Sequence, residues 1–164
     1  MKNILIRDAS KLDYRTIVDI NDVEIQHTSP MDVKHIRHLD QLSTYHRVAV
    51  AWGSVAAFLL AMGEKCPYKN ENYEWFSSRY PEFLYIDRIV VAATYRGLNI
   101  GTMLYRDIFR YARSNNIPII TCEYNLIPLN EPSRLFHEKF GFKEVGTQWI
   151  SNGAKKVSLQ GAEV

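Results

Sequence analysis

The chain has 164 residues, of which 46% are hydrophobic, so we expect one compact domain over residues 1–164 with a substantial core. Its 20 lysines and arginines and 18 acidic residues give a net charge of only +2. A partner made of nucleic acid is therefore not expected, because phosphate backbones attract a concentrated basic surface.

Targeting signals and membrane segments are not predicted. The apolar run at residues 4–6 is followed at once by the charged Arg7 and Asp8, so the segment is too short and too quickly charged for a signal peptide. The longest apolar stretch, residues 48–62, is too short to cross a bilayer and is interrupted by Gly53. We expect a cytoplasmic protein that does not associate with a membrane.

Metal binding is not predicted either. Cys66 and Cys122 form no CxxC motif and no Cys/His cluster, so both are expected to be reduced thiols. His35 and His38 have a spacing that zinc ligands use, but a solvated helix face is the more common reason for it.

The first half of the chain predicts a strand, two helices and a hairpin. Residues 3–7 form a short edge strand, and Ile17, Ile20 and Val23 recur at helical spacing after it. Asp32 can cap a second helix. Two β-rich runs, at residues 45–52 and 55–62, follow, with a turn at Gly53 between them.

The second half predicts two further helices and four strands. A polar and aromatic loop covers residues 63–82, and a long strand covers residues 83–92. The rest reads as a helix at 102–114, a strand at 117–124, a helix from 132 to 140, and strands at 142–150 and 155–160. The order β-α-α-β-β-β-α-β-α-β-β predicts an α/β (α+β) fold with a mixed sheet flanked by helices.

The segment Arg96-Gly97-Leu98-Asn99-Ile100-Gly101-Thr102 joins the long strand to a helix. Glycines let backbone N–H groups turn toward a ligand, and a helix start adds unpaired donors and a positive dipole end. Such a turn is suited to a pyrophosphate. The segment is neither GxxxxGK[ST] nor GxGxxG, which argues against a nucleoside triphosphate or a nicotinamide cofactor.

Two motifs resemble the GNAT superfamily of acyl-CoA N-acyltransferases. The first is Arg96-x-x-Asn99-x-Gly101, and the second runs from Asn130 through His137 to Gly141-Phe142. The resemblance implies a mixed, mostly antiparallel GNAT-like sheet, acetyl-CoA as co-substrate, and no metal. Asn99 stands where the family prefers glycine, and asparagine tolerates the left-handed backbone better than other residues.

The resemblance also assigns residues to coenzyme A. Backbone groups of the long strand are expected to contact the thioester and pantetheine, the glycine loop the pyrophosphate, and the second motif another part of the cofactor. The expected contacts are Ile89, Val90, Val91, Arg96, Gly97, Leu98, Asn99, Ile100, Gly101, Thr102, Asn130, Ser133 and Phe136.

Three residues are candidates for proton transfer. Asp87 shares a strand face with Tyr85 and can deprotonate the amine, unless it pairs with Arg88. Glu123, on the next strand, is the alternative base, and the sequence does not choose between them. His137 occupies the position where many family members carry a tyrosine acid, so it is the candidate proton donor, with Tyr124 the next to test.

The aromatic residues of the loop at 63–82 predict either a lid over the acceptor site or a homodimer contact. In the lid interpretation, the residues that contact the acceptor are Tyr73, Trp75, Phe76 and Tyr85.

The leading hypothesis is an acetyltransferase that acts on a primary amine of a small molecule or amino acid. The alternatives are a peptide or protein N-terminal acetyltransferase and a catalytically silent CoA-binding module.

Overall fold

The computed structural model describes residues 3–24 and 28–164. Its seven strands are β1 Ile4–Asp8, β2 Tyr45–Ala51, β3 Ser54–Gly63, β4 Leu84–Val91, β5 Ile119–Ile127, β6 Lys143–Ile150 and β7 Lys155–Glu163. Its α-helices in the described residues are α1 Tyr14–Val23, α2 Val33–Leu42, α3 Glu71–Ser77, α4 Ile100–Ser114 and α5 Glu131–Glu138.

The strands follow the order β1-β2-β3-β4-β5-β7-β6. The β1–β2, β2–β3, β5–β7 and β6–β7 pairs are antiparallel, and β4 pairs with β5 in parallel. The predicted fold class, a mixed and mostly antiparallel sheet with flanking helices, is therefore confirmed.

Helix α3 lies where the sequence predicted only a loop. The Asn70 side chain caps it by accepting a hydrogen bond from the Tyr73 N–H at 3.0 Å. Tyr73 and Phe76, three residues apart, are both buried. A seven-residue helix is too short to show the longer periodicity on which the prediction relied.

The chain divides into two compact units, Met1–Met62 with Ile86–Arg110, and Gly63–Tyr85 with Tyr111–Val164, here called units 1 and 2. In unit 1, β3 is buried from Ala56 to Met62, as its continuous apolar run predicts. The helices of this unit bury one apolar face each, which includes Ile17, Ile36 and Leu104.

Unit 2 is built on β5, β7 and β6, with a buried aromatic cluster. The ring centroid of Tyr73 lies 5.6 Å from that of Phe83 and 5.8 Å from that of Tyr85. The ring centroids of Phe76 and Tyr85 are also 5.8 Å apart. Parallel pairing of β4 with β5 is confined to Leu84 with Ile120 and Tyr85 with Thr121. Across the described ranges, no helix combines the length and the apolar character that a membrane span requires.

Candidate active site

The turn before α4 has the left-handed backbone that an exposed-donor loop requires. A 3-10 turn, Ala93–Tyr95, follows β4, and then Gly97 and Asn99 have φ angles of +81° and +61°. A Cβ on Gly97 would meet no atom within 4 Å, so conformation rather than space favours glycine there. The left-handed Asn99 agrees with the expectation that asparagine sustains this turn.

Helix α4 begins directly at this turn. The Asn99 carbonyl oxygen accepts a hydrogen bond from the Met103 N–H at 3.0 Å, so Asn99 is the N-cap residue of this helix. In a helix, the N–H groups of the first turn have no partner within the helix itself. The first turn of α4 contains no acidic residue, so its dipole and donors favour an anion.

The Arg96 guanidinium forms an ion pair with the Glu24 carboxylate at the end of α1. Both residues belong to unit 1, and Arg96 is the more exposed of the two. A phosphate group that used Arg96 would therefore compete with Glu24.

Asp87 is paired with its neighbour in the chain. Its carboxylate accepts the Arg88 Nε–H at 2.9 Å, and Arg88 also donates to the Asn21 side-chain oxygen at 3.2 Å and to the Ser29 carbonyl at 3.1 Å. This is the pairing that the sequence offered as the alternative to a base. The Asp87 carboxylate is thus engaged in an ion pair whose two side chains are both buried.

The backbone of the same stretch of β4 is accessible. The side chains of Asp87 and Arg88 are only 4% and 8% exposed, yet both residues are partly exposed as a whole. The exposed atoms therefore belong largely to the main chain. Ile89 and Val91 are also partly exposed, whereas Val90 is buried.

Glu123 of β5 is held by a phenol. The Tyr85 hydroxyl lies 2.8 Å from one Glu123 carboxylate oxygen and 3.0 Å from the other. Thr121 points to the same face of β5 as Glu123, and its buried hydroxyl has no hydrogen-bond partner among the described residues. The Tyr85 hydroxyl is a neutral donor, whereas the Arg88 guanidinium that contacts Asp87 is a cation.

His137 is buried in α5, with a fractional exposure of 5%. Its Nδ1 lies 2.7 Å from the Ser133 carbonyl oxygen, which requires a proton on Nδ1. Burial lowers the pKa of His137, and the bond to the Ser133 carbonyl opposes that effect only partly. The neutral imidazole is therefore favoured near pH 7.

Tyr124 lies beside His137, with ring centroids 6.0 Å apart. Burial raises the pKa of the Tyr124 phenol, so it stays protonated and able to donate at neutral pH. Its oxygen also accepts the Gln160 side-chain amide at 3.3 Å. Because successive residues of a strand point to opposite faces, Glu123 and Tyr124 present a base and an acid on the two faces of β5.

Asn130, Ser133 and Phe136 lie on α5 or at its start. The Asn130 side chain caps the helix by accepting the Ser133 N–H at 3.3 Å, so its helix-capping role is realised. The Ser133 hydroxyl lies 3.3 Å from Nδ1 of His137. Phe136 is partly exposed and packs edge-on against His137, with ring centroids 5.6 Å apart.

The aromatic residues predicted to contact the acceptor differ in exposure. Tyr73, Phe76 and Tyr85 are buried in the core of unit 2, and the Tyr73 hydroxyl donates to the Gly63 carbonyl at 2.8 Å. Trp75 is partly exposed, and a Cβ added to Gly146 would lie 2.5 Å from its indole ring. Trp75 is therefore the partly exposed member of this group, and the Arg79 guanidinium carbon lies over its ring, 3.8 Å from the ring centroid.

Residues 3–24 and 28–164 contain no group of three or more His, Cys, Asp or Glu side chains arranged to hold a metal ion. Arg96 pairs with Glu24 and Arg88 with Asp87, whereas Glu123 accepts from the Tyr85 hydroxyl.

Comparison with known proteins identifies the class. The family model described as the acetyltransferase (GNAT) family matches residues 24–142. This match covers most of the chain, so the protein belongs to the GNAT family and is a GNAT N-acetyltransferase, a transferase that uses acetyl-CoA. A search of curated proteins found no match.

Solved structures with the same fold include an N-acetyltransferase from Staphylococcus aureus Mu50, with a TM-score of 0.74, 21% identity and 98% coverage of both chains. Ard1 from Thermoplasma volcanium has a TM-score of 0.79 and 17% identity, with 98% of this chain and 97% of that chain covered. The yncA protein of Salmonella typhimurium, solved with its cofactor acetyl-CoA, has a TM-score of 0.74 and 17% identity, with 98% and 94% covered.

Two contacts of the site were not predicted from the sequence. Glu24 precedes Arg96 by 72 residues and Tyr85 precedes Glu123 by 38, so no local spacing connects either pair. The Tyr85–Glu123 contact follows from the parallel pairing of β4 with β5, which a sequence pattern does not specify.

Proposed function

We propose that this chain transfers the acetyl group of acetyl-CoA to a primary amine by direct attack, with the pyrophosphate of the co-substrate bound by residues 96–102. The observation that carries the proposal is the left-handed Gly97 and Asn99 turn that opens directly into α4. The N–H groups of a helix's first turn and its positive dipole end match the charge of a pyrophosphate.

A second part of the proposal concerns β4, whose backbone is accessible at Asp87 and Arg88, directly before Ile89. Amide groups at Ile89, Val90 and Val91 hydrogen-bond the pantetheine arm and the thioester carbonyl, whose oxygen becomes negative as the amine attacks. Backbone donors fixed in a strand stabilise such an oxyanion without reorganisation during the reaction. Asn130, Ser133 and Phe136 are retained as candidate contacts for another part of the co-substrate.

We assign the base to Glu123 rather than to Asp87. An alkylammonium is mostly protonated near pH 7, since the pKa of a lysine-like amine is about 10.4. Glu123 takes one proton from the acceptor nitrogen, which then forms the C–N bond to the thioester carbon. Asp87 is less suited to this step because its carboxylate is buried and already paired with the Arg88 guanidinium.

The departing thiolate needs one proton when the C–S bond breaks. We assign this donor to Tyr124, whose phenol is protonated at neutral pH, in preference to the buried and neutral His137. After the C–N bond forms, the nitrogen carries one proton more than the amide, and this proton passes to the Tyr124 phenolate. The products are then the acetylated amine and CoA with a free thiol, while Tyr124 is again a phenol and Glu123 holds the proton taken first. A donor placed at the leaving atom typically contributes about 10²–10⁴-fold in rate.

The acceptor is proposed to be a small molecule or amino acid that contacts Trp75. The test is a screen of free amines and of peptides with free N-termini against acetyl-CoA, with thiol release as the readout. Turnover of free amines supports the proposal, and turnover of peptides alone indicates an N-terminal acetyltransferase. CoA binding without turnover of any amine or peptide would contradict the proposed activity.

A further inference from the structure

Trp52 lies at the tip of the β2–β3 hairpin, in a backbone conformation that tryptophan does not favour. Ala51 pairs with Ser54, which leaves Trp52 and Gly53 as a two-residue turn with φ angles of +48° and +82°. Two positive φ angles are the mark of a type I′ turn, for which Asn-Gly is the preferred pair. A bulky residue at positive φ is uncommon, so the turn itself does not account for the tryptophan.

The Trp52 ring is also left in solvent. It is 58% exposed, and one face stacks on Tyr95 with ring centroids 6.4 Å apart and an interplanar angle of 21°. A ring stacked on one side has its other face available to a second planar group. Offset stacking of this kind is the preferred geometry of flat aromatic systems.

Tyr95 connects this pair of rings to the glycine loop. It is the residue before Arg96, and its N–H donates to the Ala92 carbonyl at 2.9 Å. The Ala92 N–H in turn donates to the Ala56 carbonyl of β3 at 2.8 Å, which fixes the 3-10 turn against the strand that leaves the hairpin. The aromatic pair is thereby held next to the anion-binding turn, within unit 1.

We propose that Trp52 and Tyr95 form a stacking platform for the adenine ring of coenzyme A. This inference rests on the proposed binding of pyrophosphate by residues 96–102. In CoA, the adenosine lies on the far side of the pyrophosphate from the pantetheine, so a molecule with its pantetheine along β4 directs its adenosine away from that strand. Adenine is flat and neutral, and it stacks on an indole face without a requirement for specific hydrogen bonds.

The experiment compares ligands with and without adenine. Trp52→Asn removes the ring but keeps a residue that suits the turn, so its melting temperature should equal or exceed that of the wild type. Its affinity for CoA by calorimetry should fall about fivefold to 100-fold, the range that base stacking on one aromatic ring provides. The KM for acetyl-pantetheine, which has no adenine, should be unchanged.

Matched variants separate the ring from other effects. Trp52→Phe keeps an aromatic face and should retain most of the CoA affinity. Trp149→Ala removes an indole of similar exposure, 54%, from β6 and should bind CoA like the wild type. Quenching of tryptophan fluorescence by adenosine 3′,5′-bisphosphate should be present in the wild type and in Trp149→Ala, and absent in Trp52→Asn.

An unchanged CoA affinity in Trp52→Asn would overturn the platform, and a change of molecular mass in solution would then assign Trp52 to a protein contact. The proposed function would still stand in that case, provided that wild-type protein binds CoA. Failure of the wild type to bind CoA at all would instead contradict the proposed function.

Discussion

The Tyr85 phenol donates to the Glu123 carboxylate, with its oxygen 2.8 Å and 3.0 Å from the two carboxylate oxygens. The contact arises because Tyr85 is the last residue of β4 that pairs in parallel with β5, opposite Thr121, and Glu123 follows two residues later on the same face. A buried tyrosine thus orients the carboxylate that we assign as the base.

Replacement of Glu123 by Gln should lower kcat by about 10²–10⁴-fold, because the amine loses its proton acceptor. CoA affinity should not change. Tyr85→Phe should retain more activity than Glu123→Gln, because the carboxylate remains but loses the hydroxyl that orients it. The matched variant Asp87→Asn tests the alternative base, and a larger loss of kcat there than in Glu123→Gln would reverse the assignment.

Binding of CoA at residues 96–102 can be tested by adding a bulky negative charge there. Gly101→Glu places a carboxylate in the first turn of α4, where it should repel the phosphates and abolish measurable CoA binding by calorimetry. Ser114→Glu adds the same charge at the other end of the helix and should leave CoA affinity near the wild-type value. Equal affinity in the two variants would remove residues 96–102 from the binding site.

Trp75 can be moved without being replaced. A Cβ at Gly146 would lie 2.5 Å from the indole, so Gly146→Ala should displace the ring. If Trp75 contacts the acceptor, this variant and Trp75→Ala should both raise the KM for the amine more than the KM for acetyl-CoA. A change of mass in solution with unaltered kinetics would assign the ring to a dimer contact.

The fold was largely predictable, because its strands and longer helices have clear periodicity. The parallel pairing of β4 with β5 and the short helix α3 have no such local signal. For the site, the loop at 96–102 was recognisable from Gly97 and Asn99, whose backbone requirements are local. The ionisation of His137 was not predictable, since it depends on the burial of the ring by residues distant in sequence.

His46 should make stability depend on pH. Its Nδ1 lies 2.7 Å from the Asp40 carboxylate, and its buried Nε2 has no hydrogen-bond partner among the described residues. The charged groups that act on it are Asp40, which also accepts the Tyr14 hydroxyl, and Asp13. Burial is the largest influence and lowers the pKa of His46 despite both carboxylates.

Because the pKa is lower in the folded protein, the unfolded state binds more protons as the pH falls below about 6.5. His46 therefore favours the folded state fully above that pH, and the free energy of unfolding should decrease below it by up to about 1.4 kcal/mol per pH unit. His46→Gln should reduce the slope of this dependence in urea titrations between pH 5 and 6.5, while the remaining slope comes in part from His137, whose pKa is also lowered by burial. His38 lies on an exposed helix face, so His38→Gln should leave the slope as in the wild type. Equal slopes of the unfolding free energy against pH in the wild type and both variants would contradict the role of His46.

The final prediction separates the two candidate proton donors on the other side of β5. If Tyr124 protonates the thiolate, Tyr124→Phe should lower kcat by about 10²–10⁴-fold, whereas His137→Gln should keep most of the activity. The phenol has a raised pKa, so donation by Tyr124 should give a kcat that does not decline between pH 6 and 9. Donation by His137, whose pKa is lowered, would instead give a kcat that declines with rising pH throughout that range.

Calorimetry with CoA and the melting temperature control for damage to the fold, because the rings of Tyr124 and His137 pack against each other. A large loss of kcat in His137→Gln with a normal rate in Tyr124→Phe would return the role of proton donor to His137.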